Sequence, residues 1–206
     1  FLHDRIREAV QDPSTAERLI PHGYPFGCKR NPLDSGYYET FNLPHVHLVD
    51  VKSNSIAEIT PAGVRLADGA EYSFDTIVYA TGFDAMTGPL NRIDIRGRGG
   101  QSLREKWAQG PRTYLGLTSA GFPNLFTITG PQSPSVLSNM PVSIEQHVEF
   151  IARIIGDMGD RGAATIEPSV QAEDAWVAHN QELAQATLFP TADTWYMGAN
   201  IPGKPR

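Results

Sequence analysis

The chain has 206 residues, of which 40% are hydrophobic, 19% charged and 9% aromatic. This composition is ordinary for a globular protein and excludes the disordered, collagen-like and disulfide-scaffold classes. The formal net charge of -6 argues against a dedicated binder of nucleic acid or of anionic membranes, because such binding needs a basic surface.

The opening part of the chain predicts one helix followed by a long irregular segment. Ser14 and Glu17 have the spacing of a capping box in front of a helix over 16–20, and Pro21 ends that helix. Prolines and glycines recur at short intervals over 21–44, which excludes a long regular element there. A loop of this length is more often functional than not, and this one contains the adjacent cations Lys29 and Arg30.

Short strands are predicted next, over 46–51, 56–60, 63–66, 71–74 and 76–79. We expect the first four to form a small antiparallel meander. Asp68-Gly69 predicts a type I′ hairpin turn, a geometry that needs a positive φ at both central residues. The fifth strand is apolar throughout, as expected of a strand that is buried on both faces.

The second half predicts three helices and one further buried strand, over 125–129. Ser102 and Glu105 cap a short helix that ends near Trp107. A longer amphipathic helix is predicted over 142–158, and another over 169–186. The apolar stripe of the longer helix has the spacing i, i+4, i+7 and i+11: Ile144, Val148, Ile151 and Ile155.

Cys28 is the single cysteine, which excludes an intrachain disulfide, a CxxC redox pair and a cysteine zinc cage. No apolar stretch approaches the roughly 18 residues that a membrane-spanning helix needs. The expected location is therefore the reducing cytoplasm, with neither membrane nor nucleic acid as a partner. The chain starts without Met and stops without a terminating element, which predicts that it is part of a longer polypeptide.

Two segments, 76–82 and 125–130, share one design: a buried-strand run that ends in Thr-Gly. Ligands of α/β sheets bind beyond the carboxyl ends of strands, where glycine allows close approach of the backbone. On this pattern alone, two core strands with glycine turns are an equally good interpretation.

Longer motifs resemble the Baeyer–Villiger monooxygenases, in unbroken order over essentially the whole chain. The motifs that carry the resemblance are Gly27-Cys-Lys-Arg30, Val46-His-Leu-Val-Asp50, Ala80-Thr-Gly-Phe-Asp84, Gly110-Pro-Arg-Thr-Tyr-Leu-Gly116, Ser138-Asn-Met140, Ser143-Ile-Glu-Gln-His147 and Trp195-Tyr-x-Gly-Ala-Asn200. A strand–GxGxxG–helix unit and the family's Phe-x-Gly-x-x-x-His-x-x-x-Trp fingerprint are missing from the sequence, and Gly97-Arg-Gly-Gly100 is no substitute. The resemblance therefore implies the C-terminal half of such an enzyme.

The resemblance implies an α/β fold, that of a flavoprotein with two dinucleotide-binding domains. Residues 1–81 would be the end of the NADPH-binding domain, including the antiparallel meander, and residues 82–206 the C-terminal part of the FAD-binding domain. The implied reaction uses NADPH and O₂ to convert a ketone into an ester or lactone through a flavin C4a-peroxide. The partner of the chain would be the N-terminal half of its own enzyme, and the chain alone would be inactive and would not retain FAD.

The resemblance also assigns roles to residues. Arg30 occupies the catalytic arginine position, where a permanent positive charge stabilises the negative charge that develops during oxygen transfer. Lys29 would face the 2′-phosphate of NADPH, and Trp195 would lie near the bound nicotinamide cofactor. The alternatives from the residues alone are a solvated surface arginine, a surface lysine and a core or interface aromatic.

Further cofactor and substrate contacts follow from the same resemblance. Met140 would lie against the flavin at the start of a helix, or pack at that helix start. The backbone of Thr81, Gly82 and Phe83 would approach the cofactor, or serve only the crossing between domains. A loop lining the ketone pocket is predicted from Ser135, Val136, Leu137, Ser138 and Met140.

Other functions have weaker support in the sequence. His45 and His47 form a His-x-His pair without a suitably spaced third ligand, so no metal site is expected. No Gly-x-Ser-x-Gly nucleophile elbow is present. The remaining alternatives are a related flavin-containing monooxygenase that acts on amines or sulfides, and a non-catalytic remnant that binds a partner.

Overall fold

The computed structural model describes residues 1–133, 138–199 and 201–204, which belong to two compact units. The first unit consists of Phe1–Gly23 and Asn31–Gly82. The second unit consists of Tyr24–Arg30 and Phe83–Arg206. The short segment Tyr24–Arg30 therefore interrupts the first unit in sequence but packs with the second.

The first unit begins with two helices, α1 (Leu2–Ala9) and α2 (Pro13–Leu19). Their contact is a small apolar core of Ile6, Val10, Ala16 and Ile20. The N-cap of α2 is Asp12, whose carboxylate accepts a hydrogen bond from Thr15 N at 2.8 Å. The predicted capping box at Ser14 and Glu17 is therefore wrong. Proline at the first helical position, directly after an aspartate cap, starts the helix earlier.

The sheet of the first unit has three antiparallel strands in the order β1 (Ile56–Thr60), β2 (Gly63–Leu66), β3 (Glu71–Ser73). The predicted meander is confirmed for these strands, whereas 46–51 is not a strand. The β2–β3 hairpin is present, but its turn is not type I′. Of the predicted turn pair, only Gly69 has a positive φ, of 90°, and the Asp68 carboxylate instead accepts a hydrogen bond from Ala70 N.

Neither of the two buried strands that the sequence predicts forms in the chain. Residues 76–79 and 125–129 have irregular backbone, and Val78 and Tyr79 are 83% and 70% exposed. An apolar run becomes a central strand only where neighbouring strands bond to both of its edges. No strand of the described residues pairs with either run. The architecture is thus helices with one small antiparallel sheet, consistent with the α/β class.

The second unit contains the helices α3 (Gly88–Asn91), α4 (Leu103–Lys106), α5 (Met140–Asp160) and α6 (Val170–Gln185). The Ser102–Glu105 capping box of α4 is confirmed, with hydrogen bonds in both directions. Ser169 caps α6 by accepting from Ala172 N at 3.1 Å. Leu103, Trp107 and Phe122 form the apolar core beside α4.

A buried carboxylate ties α6 to the rest of the second unit. Glu173 is 2% exposed, and its Oε1 accepts hydrogen bonds from Lys106 Nζ and from Ala120 N, both at 2.9 Å. Lys106 Nζ also donates to the carbonyl of Ala120 at 2.5 Å. Charge pairing and hydrogen bonds together offset the cost of burying this carboxylate.

Helix α5 is confirmed at the predicted place, and most of its apolar stripe is uncovered. Ile144, Val148 and Ile155 are 39%, 46% and 55% exposed. The buried residue of α5 is His147, which is three positions after Ile144 and therefore lies at the edge of the stripe. A helix that is amphipathic normally covers its stripe with a neighbouring element. None of the helices in the described ranges is long and apolar enough to span a membrane.

Candidate functional site

The segment that carries Lys29 and Arg30 is anchored through Cys28. Cys28 is 1% exposed, and its thiol donates to the carbonyl of Leu188 at 3.4 Å. Its own carbonyl accepts a hydrogen bond of 2.5 Å from the hydroxyl of Thr194, which has no exposed surface. The predicted cationic pair is thus attached to the segment that contains Trp195. Cys28 and Thr194 lie 166 positions apart, and neither periodicity nor spacing in the sequence gives a signal for their contact.

Lys29 and Arg30 themselves differ in environment. The ammonium of Lys29 lies over the ring of Tyr24, 4.2 Å from its centroid, and the side chain is half-buried. Arg30 is exposed, and its guanidinium makes no hydrogen bond or ion pair with other residues that the structure describes. Contacts among the described residues therefore do not shield Arg30 from water.

Trp195 begins a short 3₁₀ turn, Trp195–Met197. Thr194 caps this turn: its hydroxyl oxygen accepts from Tyr196 N at 3.3 Å. Trp195 is half-buried against Tyr196 with ring centroids 4.4 Å apart, and Tyr196 also contacts Phe189 edge-on at 5.4 Å. The irregular tail predicted from Leu188 onward is therefore held by aromatic packing and by one buried hydroxyl.

A tightly packed loop precedes α5. A Cβ on Gly130 would lie 2.4 Å from the carbonyl oxygen of Gly116, so only glycine fits there. Thr129, with a φ of 51°, donates its backbone N–H to Nδ1 of the buried His147 at 3.1 Å. Accepting at Nδ1 leaves the proton of the neutral ring on Nε2. His147 is thus a link between α5 and this loop, and its local sequence pattern does not indicate that role.

The first turn of α5 contains Met140, which is half-buried. Asn139 is the N-cap residue, but its side chain makes no capping hydrogen bond, and Ser138 forms a short hydroxyl–hydroxyl hydrogen bond to Ser143. Residues 135–137 of the predicted ketone pocket, Ser135, Val136 and Leu137, lie outside the described residues. No hydrogen bond or ion pair in the described ranges connects Met140 to the Lys29–Arg30 segment.

Thr81, Gly82 and Phe83 follow one another at the change from the first unit to the second. All three are exposed, and Phe83 is 94% exposed. Gly82 has a φ of 82° with open space where a Cβ would stand. The backbone here is exposed, although the positive φ of Gly82 favours glycine whether or not a molecule binds.

The second unit contains a cavity of about 280 Å³ that the sequence does not indicate. Lys204, on its wall, bonds to the carboxylate of Asp84 at 2.6 Å and to the carbonyl of Ala85. None of the predicted site residues that the structure describes lines it. Within the described ranges, no group of three or more His, Cys, Asp or Glu side chains is placed to hold a metal ion.

Comparison with known proteins, by sequence and by structure, finds monooxygenases. The chain is 46% identical, over 204 residues, to a Baeyer-Villiger monooxygenase of Pseudooceanicola batsensis, covering 99% of the chain and 37% of that protein. Among solved structures, it matches an oxidized steroid monooxygenase bound to NADP with a TM-score of 0.87 and 50% identity, over 96% of the chain and 38% of that protein. It matches OTEMO in complex with FAD and NADP with a TM-score of 0.89 and 46% identity, over 95% of the chain and 36% of that protein. No family model matches the chain.

Proposed function

We propose, because the chain is homologous over its whole length to Baeyer–Villiger monooxygenases, that it belongs to an enzyme which uses NADPH and O₂ to convert a ketone into an ester or lactone. The 46% identity over 99% of the chain is the observation that carries the proposal. The chain spans little more than a third of the length of these relatives. Under this proposal, residues 1–81 end an NADPH-binding domain, residues 82–206 belong to an FAD-binding domain, and further polypeptide completes both.

The residues of the chain fit part of FAD and NADPH but not their diphosphate groups. The accessible backbone at Gly82 and the exposed ring of Phe83 suit a flat heterocycle. The first turn of α5, at Met140, has no side-chain cap, and a helix N-terminus favours negative charge such as that of a reduced flavin. A strand–GxGxxG–helix unit, which binds diphosphate, is not in the sequence. We assign Thr81, Gly82, Phe83 and Met140 to the cofactor on this basis. Bound FAD and NADPH supply the electrons and the activation of O₂.

Arg30 is the residue to which we assign the catalytic role. Its guanidinium stays protonated at every physiological pH and offers several N–H donors in a fixed plane. Such a group stabilises the negative charge that accumulates on oxygen while a ketone is oxygenated. Because Arg30 has no partner among the described residues, it remains available to substrate and cofactor. Parts of the enzyme beyond this chain would then exclude water from Arg30.

Lys29 and Trp195 are assigned to NADPH. The ammonium of Lys29 already rests on Tyr24 at 4.2 Å, which restricts its position before a phosphate binds. The indole of Trp195 can donate one hydrogen bond from Nε1 and cover a bound nicotinamide. Ser138 and Met140, together with the undescribed 135–137, are assigned to the ketone pocket.

The experiment that tests the proposal is substitution of Arg30 in the full-length enzyme that contains this chain. We expect Arg30→Ala to lower the rate of ester formation at least a hundredfold, the scale of losing one oxyanion donor. NADPH oxidation should fall much less, because hydride transfer does not need the oxyanion donor. Arg92→Ala, which removes an arginine of the same unit, is the matched control. Ester formation by Arg30→Ala within about threefold of the wild type would contradict the assignment.

A further inference from the structure

The buried hydroxyl of Thr194 bonds to two segments of the second unit, 24–30 and the turn Trp195–Met197. Tyr196 N is a donor only, so the hydroxyl oxygen accepts from it, at 3.3 Å. The hydroxyl proton is therefore directed to the carbonyl of Cys28, at 2.5 Å. Thr194 has no exposed surface and Cys28 is 1% exposed, so water does not replace the bond between them.

These two segments carry Arg30 and Trp195, to which the proposed function assigns roles. Arg30 is two residues beyond Cys28, and Trp195 directly follows Thr194. Segment Tyr24–Arg30 packs with the second unit although its neighbours on both sides belong to the first. The hydrogen bonds of Cys28 with Thr194 and Leu188 attach this segment to the Trp195 region.

We infer that Thr194 is a positioning residue, whose hydroxyl couples the place of Arg30 to the folded state of the turn Trp195–Met197. If the turn unfolds, Tyr196 N no longer bonds to the hydroxyl, which is then free to rotate away from Cys28. Conversely, a displaced Cys28 carbonyl leaves a buried donor without an acceptor, which disfavours the folded turn. The positions of Arg30 and Trp195 are therefore fixed together. This inference rests on the proposed function for its catalytic consequence, but the coupling itself does not.

Thr194→Val tests the coupling, because valine has nearly the shape of threonine and no hydroxyl. In the full-length enzyme we expect faster amide hydrogen exchange in both 24–30 and 195–199, and ester formation lowered about tenfold or more, since small displacements of positioned groups have effects of this size. The KM for the ketone should change less than about twofold, because Thr194 does not itself bind the ketone. The share of NADPH oxidation that yields hydrogen peroxide instead of ester should rise.

Two variants separate positioning from a merely structural role. Thr194→Ser keeps the hydroxyl and should restore both exchange rates and ester yield to within about twofold of the wild type. Cys28→Ser keeps the carbonyl and a donor to Leu188, and should leave the exchange of 195–199 unchanged. If Thr194→Ser behaves like Thr194→Val, or if Thr194→Val speeds exchange in only one of the two segments, the coupling is wrong.

A measurement on the wild type covers the case in which Thr194→Val does not fold. In mild urea, the amides of Cys28 and Met197, bonded to Pro25 O and Thr194 O, should exchange through one common opening with the same urea dependence. Separate openings would overturn the coupling. If both amides open together but the enzyme forms no ester from any ketone, the proposed function fails while the coupling stands.

Discussion

Glu173 shows at the scale of a single residue why this chain keeps a charge in its interior. Its carboxylate is satisfied by Lys106 and by the backbone N–H of Ala120. Lys106 is itself only 11% exposed on its side chain. Removing one charge of such a pair leaves the other buried and uncompensated, which costs more than the pair contributes.

The Glu173→Gln variant should therefore unfold more easily. We expect a loss of about 3 kcal/mol in the free energy of unfolding, because the ammonium of Lys106 loses its counter-charge. Urea unfolding followed by Trp fluorescence measures this, since Trp107, Trp176 and Trp195 all belong to the second unit. Glu182→Gln, at an exposed position of the same helix, is the control and should cost at most about 1 kcal/mol. Equal effects of the two variants would contradict this account.

Gly130 and Gly156 form a second contrast between individual residues. Gly130→Ala places a Cβ against the carbonyl oxygen of Gly116 and should destabilise the second unit by about 1–3 kcal/mol. Gly156 lies inside α5, and a methyl group added to it would meet nothing within 4 Å, so Gly156→Ala should stabilise by about 0.5–1 kcal/mol. The same urea experiment compares them. A destabilising Gly156→Ala would show that this face of α5 is covered.

At the scale of elements, the sequence predicts best those whose signals are local. Ser102 and Glu105 predict the start of α4, and Ser169 that of α6, because a cap is decided within three residues. Helix α5 follows from its length and periodicity. The turn at Gly69 is predicted in place but not in type, because the Asp68 side chain bonds to its own turn.

Elements that depend on distant partners are not predictable in the same way. The runs 76–79 and 125–129 have the composition of central strands, but composition does not supply the neighbouring strands that a ladder needs. The attachment of the Arg30 segment to the Trp195 turn likewise depends on a hydrogen bond between Cys28 and Thr194. Resemblance to a family predicts the residues of the candidate site. Their attachment is visible only in three dimensions.

The ion pair between Arg98 and Glu167 predicts that the free energy of unfolding depends on pH. The hydrogen bond from Arg98 at 2.6 Å, assisted by that from Gly121 N, lowers the pKa of Glu167 below its ordinary value. A carboxylate whose pKa is lowered in the folded state stabilises the fold at a pH above about 4.3, the ordinary pKa of glutamate. This stabilisation is lost as the pH falls below that value.

Glu167→Gln should therefore be less stable than the wild type by a constant amount between about pH 5.5 and 7. The difference should shrink as the pH falls through the lowered pKa, because the wild-type carboxylate then takes up a proton. Urea unfolding at a series of pH values measures it, with the exposed Glu182→Gln as the control. A difference that grows toward acid pH would contradict the assigned direction.

At the scale of the whole molecule, the chain leaves much apolar surface uncovered. Val78, Tyr79, Phe83 and Ile155 are each more than half exposed. Surface of this kind normally marks a contact with other protein. This agrees with relatives of which the chain spans little more than a third.

The 206-residue chain on its own should accordingly bind a hydrophobic dye such as ANS strongly and should not retain FAD through gel filtration. The reason for the second expectation is that the glycine loops that bind diphosphate are not in its sequence. Adding the remaining part of the enzyme as a separate polypeptide should lower dye fluorescence and restore flavin absorbance. A chain that purifies alone with stoichiometric flavin would contradict the assignment of the diphosphate to residues outside this chain.

The most direct test of the central claim is a crystal structure of the full-length enzyme with FAD and NADP bound. The account predicts that the guanidinium of Arg30 lies in a closed cleft within hydrogen-bond distance of the nicotinamide cofactor, with Thr194 still bonded to Cys28. A guanidinium that points into bulk solvent, away from both cofactors, would contradict it.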